Sequence, residues 1–527
     1  MAELFLGGVL VDPSPQPADV VILSDLHWGE GRDPDTGRTS RLDDFFYDLE
    51  LAEFLEHQRE RVAAAGRPLR LILAGDVFDF LLVGSVPDAP TARELGIRIR
   101  RQERKFGLRA TEPGSIWKLD RIVRGHPVLF DALGQVLADG HEIVVLPGNH
   151  DPELFFEGVR ERLRHHLVQR GARCGGDPQA CASRVIFEPW FHYEPGRLFV
   201  EHGHQYEESS VLRRLLAPLW LGRPRSFSPE LDLPVGSLLV RYLHNGLKRR
   251  NPYIRNFVSL DDYLRFLGAQ DMVKVLPQAA RNARFLWRAL QEAPLWKSDK
   301  VQRASREHAA LMDQLDQQHD LGGALRELES NWALASGHTK ARLFRKMVEP
   351  AIRQAGVALL VFIVTLYAWA LVFNLITAVP WLAEGPFAKA GWLVLLAVFT
   401  FAAVAAVVRA AGRLLKTRSD TSFDSLEPHA ERISRLMGVP NVAMGHTHIA
   451  DQRVLDTGGR FVNTGTWTAI QGPWDEIRPQ ALQFTYARLD PSGFQLLRWD
   501  PEARREEPVH LFEDPPERLI QRILPGS

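Results

Sequence analysis

Apolar and polar positions change their rhythm several times along this chain. Residues 20–24, 69–74, 142–147 and 197–201 are apolar along most of their length rather than at every second position. Continuous apolarity over five or six residues predicts strands covered on both faces, as in a layered α/β domain. Residues 42–65 instead carry apolar side chains at helical spacing opposite a charged face, and the pattern closes at Gly66, which predicts an amphipathic helix. From about Gln205 to Arg353 the pattern is helical, with basic and aromatic residues mixed; 237–250 and 301–353, broken near Gly322-Gly323, are its clearest pieces. Strand character returns at 441–444, 460–462 and 481–488. The helical stretch is therefore expected as an insertion into one α/β domain, and the chain shows no internal repeat or low-complexity tract.

Two further runs stand apart. Residues 356–380 are almost wholly apolar, with Thr365, Asn374 and Thr377 the clear polar exceptions, and a second run covers 390–408 after a connection through Glu384 and Pro386. Each reaches or approaches the ~20 residues a helix needs to cross a bilayer. Trp381 and Trp392 fall near the same edge of both runs; Arg342, Arg345, Lys346 and Arg353 precede the first, and Arg409, Arg413, Lys416 and Arg418 follow the second. These features predict a two-helix transmembrane hairpin with its tip outward, in a multi-pass membrane protein whose two large flanking parts lie in the cytoplasm. The expected segments are 1–205, 206–353, 354–410 and 411–527.

Composition narrows the picture. A chain of 527 residues exceeds one ordinary core. A net charge of -1, from 64 basic and 65 acidic residues, argues against a nucleic-acid partner bound by a uniformly basic surface. Cys174 and Cys181 are the two cysteines, which rules out a disulfide framework and suits a reducing compartment. The first residues lack a basic region followed by a long apolar core, so no cleavable signal peptide is expected.

The chemistry sits in five short clusters, each just after an apolar run: Asp25-Leu26-His27, Gly75-Asp76-Val77-Phe78-Asp79, Gly148-Asn149-His150-Asp151, His202-Gly203-His204 and Gly445-His446-Thr447-His448. In extended backbone Asp25 and His27 project to one face and can share a metal. The same holds for His446 and His448, which in an irregular loop can instead reach different ions. Asp76 has two carboxylate oxygens and can bridge two cations, while Asn149 offers an amide oxygen and His202 an imidazole nitrogen. Oxygen and nitrogen donors without thiolate suit two divalent ions of the Mn²⁺, Fe or Zn²⁺ type. Such ions attract a phosphoryl group and acidify water, the requirements of phosphoester hydrolysis.

In their order and spacing the five clusters resemble the signature blocks of the calcineurin-like metallophosphoesterase superfamily, over roughly half the chain. The resemblance implies a four-layer αββα sandwich, here with a helical insertion and the transmembrane hairpin. It assigns Asp25, His27, Asp76 and His448 to one metal and Asp76, Asn149, His202 and His446 to the other. It implies that His150 faces the phosphate, stabilising charge or protonating the leaving group, and that Asp151 orients His150. Asp79 becomes a supporting residue, and the turn from Asn463 to Trp467 is similar to one the family carries beyond its last block.

A membrane hairpin inside the catalytic domain favours a lipid-linked phosphoester as substrate. The alternatives are a hydrolase of soluble nucleotides or phosphoproteins and a catalytically inactive membrane scaffold. His204 fits a metal-adjacent or a surface role equally. Ser336-Gly337-His338-Thr339-Lys340 is a partial copy of the last cluster without its second histidine. Arg98, Arg100, Arg101, Arg104, Lys105 and Arg109 form a basic stretch suited either to a solvated helix face or to an anionic lipid or phosphorylated substrate.

Overall fold

A computed structural model of the chain describes residues 17–220, 228–249, 281–287, 289–290, 299–332, 340–378, six positions between 391 and 400, 426–468 and 483–509. It is a mixed α/β structure with two sheets. The first has seven strands in the order β12-β11-β10-β1-β2-β3-β4, and the second five in the order β5-β6-β7-β9-β8. In chain order these are β1 Asp19–Leu23, β2 Leu69–Ala74, β3 Glu142–Leu146, β4 Val185–Phe187, β5 Phe191–Glu194, β6 Leu198–Glu201, β7 Asn441–Met444, β8 Asp451–Val454, β9 Arg460–Asn463, β10 Thr485–Asp490, β11 Gly493–Asp500 and β12 Arg505–Pro508.

The continuously apolar runs are the parallel strands. β1, β2, β3 and β4 run parallel, as do β6, β7 and β9. Val20, Ile22, Ile72, Val144 and Leu146 of the first sheet share a core with Leu198, Val200, Ala443 and Val462 of the second, so the two sheets pack face to face. The outer face of the second sheet is covered by helices: Phe199, Val442, Met444 and Phe461 meet Met312, Leu325, Leu328, Ile433 and Met437. Alternation on both faces is suppressed because both faces are buried. The antiparallel strands β5 and β8 lie at the edges of the second sheet, and the hairpin β10-β11-β12 extends the first.

The helix expected over 42–65 is Asp48–Ala65, closed by Gly66 in the left-handed conformation at φ 65°. Residues 42–45 stay outside it because they are tied into the site's supporting loops. Leu42 and Phe45 are buried, and the Asp43 carboxylate accepts the Gly31 amide. The helical stretch contains Val235–Leu239, continued through a π-turn at Val240–His244 into Asn245–Lys248. Further on come Asp299–Gln318 and Ala324–Glu329, with the break at Gly322 and Gly323, whose φ values are 61° and 94°.

The chain divides into two compact units: residues 1–340 with 426–527, and residues 341–425. The transmembrane hairpin requires correction. Its first run is the later part of a single 39-residue helix, Lys340–Ala378, which opens on Lys340, Arg342, Arg345 and Lys346 and reaches its apolar part after Glu349 and Arg353. Among the described residues no helix is long and apolar enough to cross a membrane. The expected multi-pass location and the orientation drawn from it fall with it. The turn through Trp381, Glu384 and Lys389, most of the run 390–408, its basic flank, and Ser336 to Thr339 lie outside the described residues.

Burial lifts the Asp43 pKa to about 6, against the pull of His126 and Lys248. An acid whose folded pKa is raised contributes most stability when protonated and loses it as pH rises from its unfolded value near 3.8 through 6. Asp43→Asn, which keeps an acceptor for Gly31, is expected to unfold like the parent at pH 4 and at a higher temperature at pH 7. Thermal unfolding followed by circular dichroism at both pH values checks this; parallel shifts at the two would refute it.

Candidate metal centre

Each of the five clusters follows the carboxyl end of a parallel strand: Asp25 after β1, Asp76 after β2, Asn149 after β3, His202 after β6 and His446 after β7. The strands end side by side, with Leu23 paired to Leu73, Ala74 to Leu146 and Val200 to Ala443. Backbone pairing continues past the strand ends. Asp25 N donates to Gly75 O at 3.1 Å, His27 N to Asp76 O at 2.9 Å and Gly445 N to His202 O at 3.1 Å. Registry between strands thus becomes registry between clusters.

The side chains converge. Asp25, His27 and His448 form one group whose ligand atoms lie within 4.8 Å of one another, and Asp76, His202 and His446 form a second. Asp76 lies against both, its Oδ2 3.9 Å from His27 Nε2 and 3.3 Å from His202 Nε2. His448 Nε2 is 3.2 Å from Asp25 Oδ1 and 3.0 Å from His27 Nε2. Two imidazole nitrogens that close, with two carboxylates beside them, form a donor set that could hold a cation. Asn149 Oδ1 is buried without a hydrogen bond, as a ligand oxygen would be.

The backbone is bent to this purpose. Asp25, His27, Asp76, His446 and His448 have φ values of 53°, 50°, 51°, 72° and 58°, and make up five of the eight non-glycine residues with positive φ among those described. Left-handed backbone at a non-glycine residue costs on the order of 1–3 kcal/mol and persists where surroundings enforce it. Glycines supply part of that enforcement. A Cβ on Gly75 would lie under 3.0 Å from the His202 ring, one on Gly148 from the Asp76 carboxylate, and one on Gly445 from Asp25 and Ser24. In each case a glycine of one cluster touches a ligand of another.

Charge balance follows from burial and neighbours. Burial alone would raise Asp76, but the imidazoles of His202, His150 and His27 hold it well below the usual carboxylate range. Burial would lower His202, yet Asp76 and Asp25 outweigh it and raise its pKa to about 10. His202 is further fixed by its Nδ1, 3.0 Å from Ala74 O.

The supporting carboxylates exchange their expected roles. Asp151 does not hold His150. It accepts the amides of Asp76, Val77 and Phe78 at 3.2, 2.9 and 3.2 Å, and that of Gly148, so it shapes the Asp76 turn. Burial and the Asp76 charge push its pKa up to about 7. Asp79 holds the ring instead, with its Oδ2 2.9 Å from His150 Nδ1 and 3.0 Å from His27 Nδ1. A cluster-internal spacing does not reveal which of two nearby acids turns toward a ring. His150 N also donates to Asp76 Oδ1 at 2.7 Å.

Further residues support the centre; the 463–467 turn and His204 were marked in the sequence, whereas Glu207 and Ser24 carried no signal there. Glu207 Oε2 lies 2.6 Å from His446 Nε2 and orients that ring. Ser24 bonds Asp25 and lies 2.6 Å from Thr464 Oγ1. Asn463 Nδ2 donates to Gly445 O at 2.7 Å, and Thr466 Oγ1 to Asp25 O at 2.8 Å, so the 463–467 turn braces the first and last clusters. From the helical stretch, Ser237 Oγ donates to Asn149 O at 3.2 Å. His204 is buried with neither ring nitrogen hydrogen-bonded, its ring 5.4 Å from His202 and 6.4 Å from His446.

No family model matches the chain, and no curated protein or solved structure matches it either. The case for the centre therefore stands on its geometry. Gly445→Ala should lower the metal retained after Mn²⁺ loading and desalting from about two per chain to below one. Gly66→Ala, at positive φ but with open space around it, should cost about 1 kcal/mol of stability and retain the full complement. Elemental analysis of the two variants decides; equal occupancy would refute the close-approach account.

Proposed function

We propose that the chain is a binuclear metal-dependent phosphoester hydrolase. The observation that carries this reading is the convergence of Asp25, His27, Asp76, His202, His446 and His448 into two donor groups facing the shared carboxylate Asp76. Asp25, His27, Asp76 and His448 would hold one divalent ion of the Mn²⁺, Fe or Zn²⁺ type, and Asp76, Asn149, His202 and His446 the other. When bound, such ions supply Lewis acidity, which acidifies water and offsets phosphoryl charge.

The residues of the chain do the rest. Asp76 and Asp25, held ionised by their histidine neighbours, neutralise part of the metal charge and leave the centre cationic toward an anionic ester. Asp79 fixes the rings of His150 and His27 together. The His150 side chain is 17% exposed, whereas that of His27 is 1% exposed, so His150 is the one of the pair that substrate can reach. A ring so anchored can stabilise charge on the phosphoryl oxygens or protonate the leaving group. Asp151 keeps the Asp76 turn in register without touching substrate. The competing reading, a metal-binding scaffold without turnover, shares the same donor groups and differs only in rate.

Purified protein with Mn²⁺ is expected to hydrolyse bis(4-nitrophenyl) phosphate or 4-nitrophenyl phosphate. Asp76→Ala should lose metal and turnover together, while His150→Ala should keep metal and lose about 10²- to 10⁴-fold in kcat. Metal-loaded protein inert toward both esters would sink the hydrolase and leave the scaffold.

A further inference from the structure

His204 lies beside the metal centre and forms no hydrogen bond to any of its groups. Seven histidines are buried among the described residues. Six of them bond at least one ring nitrogen: His27 to Asp79, His126 to Asp48, His141 to the Leu69 amide, His192 to Glu194, His202 to Ala74 O and His308 to Glu329. His204, 2% exposed, bonds neither. Each imidazole nitrogen is a donor or an acceptor, and burying both without a partner is costly, so such a ring calls for a partner outside the polypeptide. His202 Nε2 and Asn149 Oδ1 are orphaned in the same way, and both belong to the donors assigned to the second ion.

The segment that carries the ring is fixed on both sides. Gly203 precedes it at φ 96°, in the left-handed region, and a Cβ there would lie 3.2 Å from Leu426 Cδ1. After it, Gln205 is clamped to Leu212: its Nε2 donates to Leu212 O at 3.1 Å and its Oε1 accepts the Leu212 amide at 2.8 Å. Tyr206 stacks on His429 at 4.0 Å, and Glu207, which holds His446, accepts the Ser210 hydroxyl at 2.8 Å. The His204 ring stands 5.4 Å from His202, close to the 5.3 Å between His202 and His446, which share a donor group. It is 6.4 Å from His446. Asp76, His202 and His446 close within 4.8 Å of one another without it. With no hydrogen bond tying its nitrogens, the ring can turn onto an ion that those residues hold.

We propose that His204 is a further nitrogen donor to the ion of Asp76, Asn149, His202 and His446, and that it makes this position favour Zn²⁺ over Mn²⁺. This rests on the metal pair of the hydrolase reading and deepens it by distinguishing the two positions. Three imidazoles, one carboxylate and one amide oxygen would face this ion. Two imidazoles and two carboxylates would face the ion of Asp25, His27, Asp76 and His448. Imidazole suits Zn²⁺, whereas carboxylate and amide oxygens suit Mn²⁺, so the extra ring tips the choice at one position alone.

The full chain, stripped with EDTA, is titrated with Zn²⁺ and with Mn²⁺ against a chromophoric chelator, and with Co²⁺ followed by visible absorption, which responds to nitrogen ligation. The parent is expected to bind two Zn²⁺. In His204→Leu one of them should weaken by at least about tenfold, Mn²⁺ should weaken less, and the Co²⁺ band of that position should shift. Because the ring forms no hydrogen bond, the metal-free variant should unfold at or above the temperature of the parent. If it does not fold, His204→Asn carries the same comparison. Unchanged Zn²⁺ affinity with an unchanged Co²⁺ spectrum would overturn the assignment, as would equal weakening of Zn²⁺ and Mn²⁺. Two bound ions that depend on His204 without phosphoester turnover would remove the hydrolase and leave this inference standing. Turnover on a metal pair indifferent to His204 would do the reverse.

Discussion

Close approach of backbone to side chain is the constraint on which this structure depends. Ligands from strand ends in two different sheets must meet, and they do so only because glycine stands where any Cβ would strike. Gly75 admits the His202 ring, Gly148 the Asp76 carboxylate and Gly445 the Asp25 carboxylate. Each loop is thereby locked by a residue belonging to another, and the left-handed conformations of Asp25, His27, Asp76, His446 and His448 are held from outside rather than by local preference. Local sequence preference would relax every one of those five residues. Their survival reflects the two sheets behind them, whose shared core fixes where each strand ends.

What could be read from sequence followed from burial. Strands covered on both faces give unbroken apolar runs, so β1, β2, β3, β6 and β7 stand out together with the clusters that follow them. β4 has three residues, and β8 is exposed over Arg453 and Val454, so neither leaves a pattern. The apolar run from Gly356 misled for a related reason. Hydropathy within a window records composition, but the helix that contains the run begins on a charged turn and continues through Glu349 and Arg353. For the residues of the two donor groups, residue type and position after a strand were sufficient to place them together. Among supporting groups they were not: Asp79 and Asp151 differ in the loop backbone that aims them, and Glu207 reaches His446 through a turn with no periodicity of its own.

The stretch from Val235 to Lys248 shows how an insertion can become part of a site. One stripe of its side chains donates to carbonyls of the α/β domain: Ser237 to Asn149, Arg241 to Gly107, Asn245 to Leu81 and Lys248 to Leu42. Buried donors of this kind are costly unless paired, so each contact fixes the helix as firmly as it fixes the loop it meets. The π-turn at Val240–His244 lies inside the stripe and resets its phase, which keeps widely spaced donors on one side.

The sequence separation within the centre bears on how it assembles. His446 donates its amide to a carboxylate 421 positions earlier, and Ser24 reaches a hydroxyl 440 positions later. Contacts this distant form after the local ones, because the intervening chain must first lose its freedom. During synthesis, β1, β2 and β3 can associate while their acidic loop ends still lack the partners that β7 and the 463–467 turn provide. Completion of the two donor groups is then a late event in the maturation of the molecule, and it seals the union of the early and late halves of the chain.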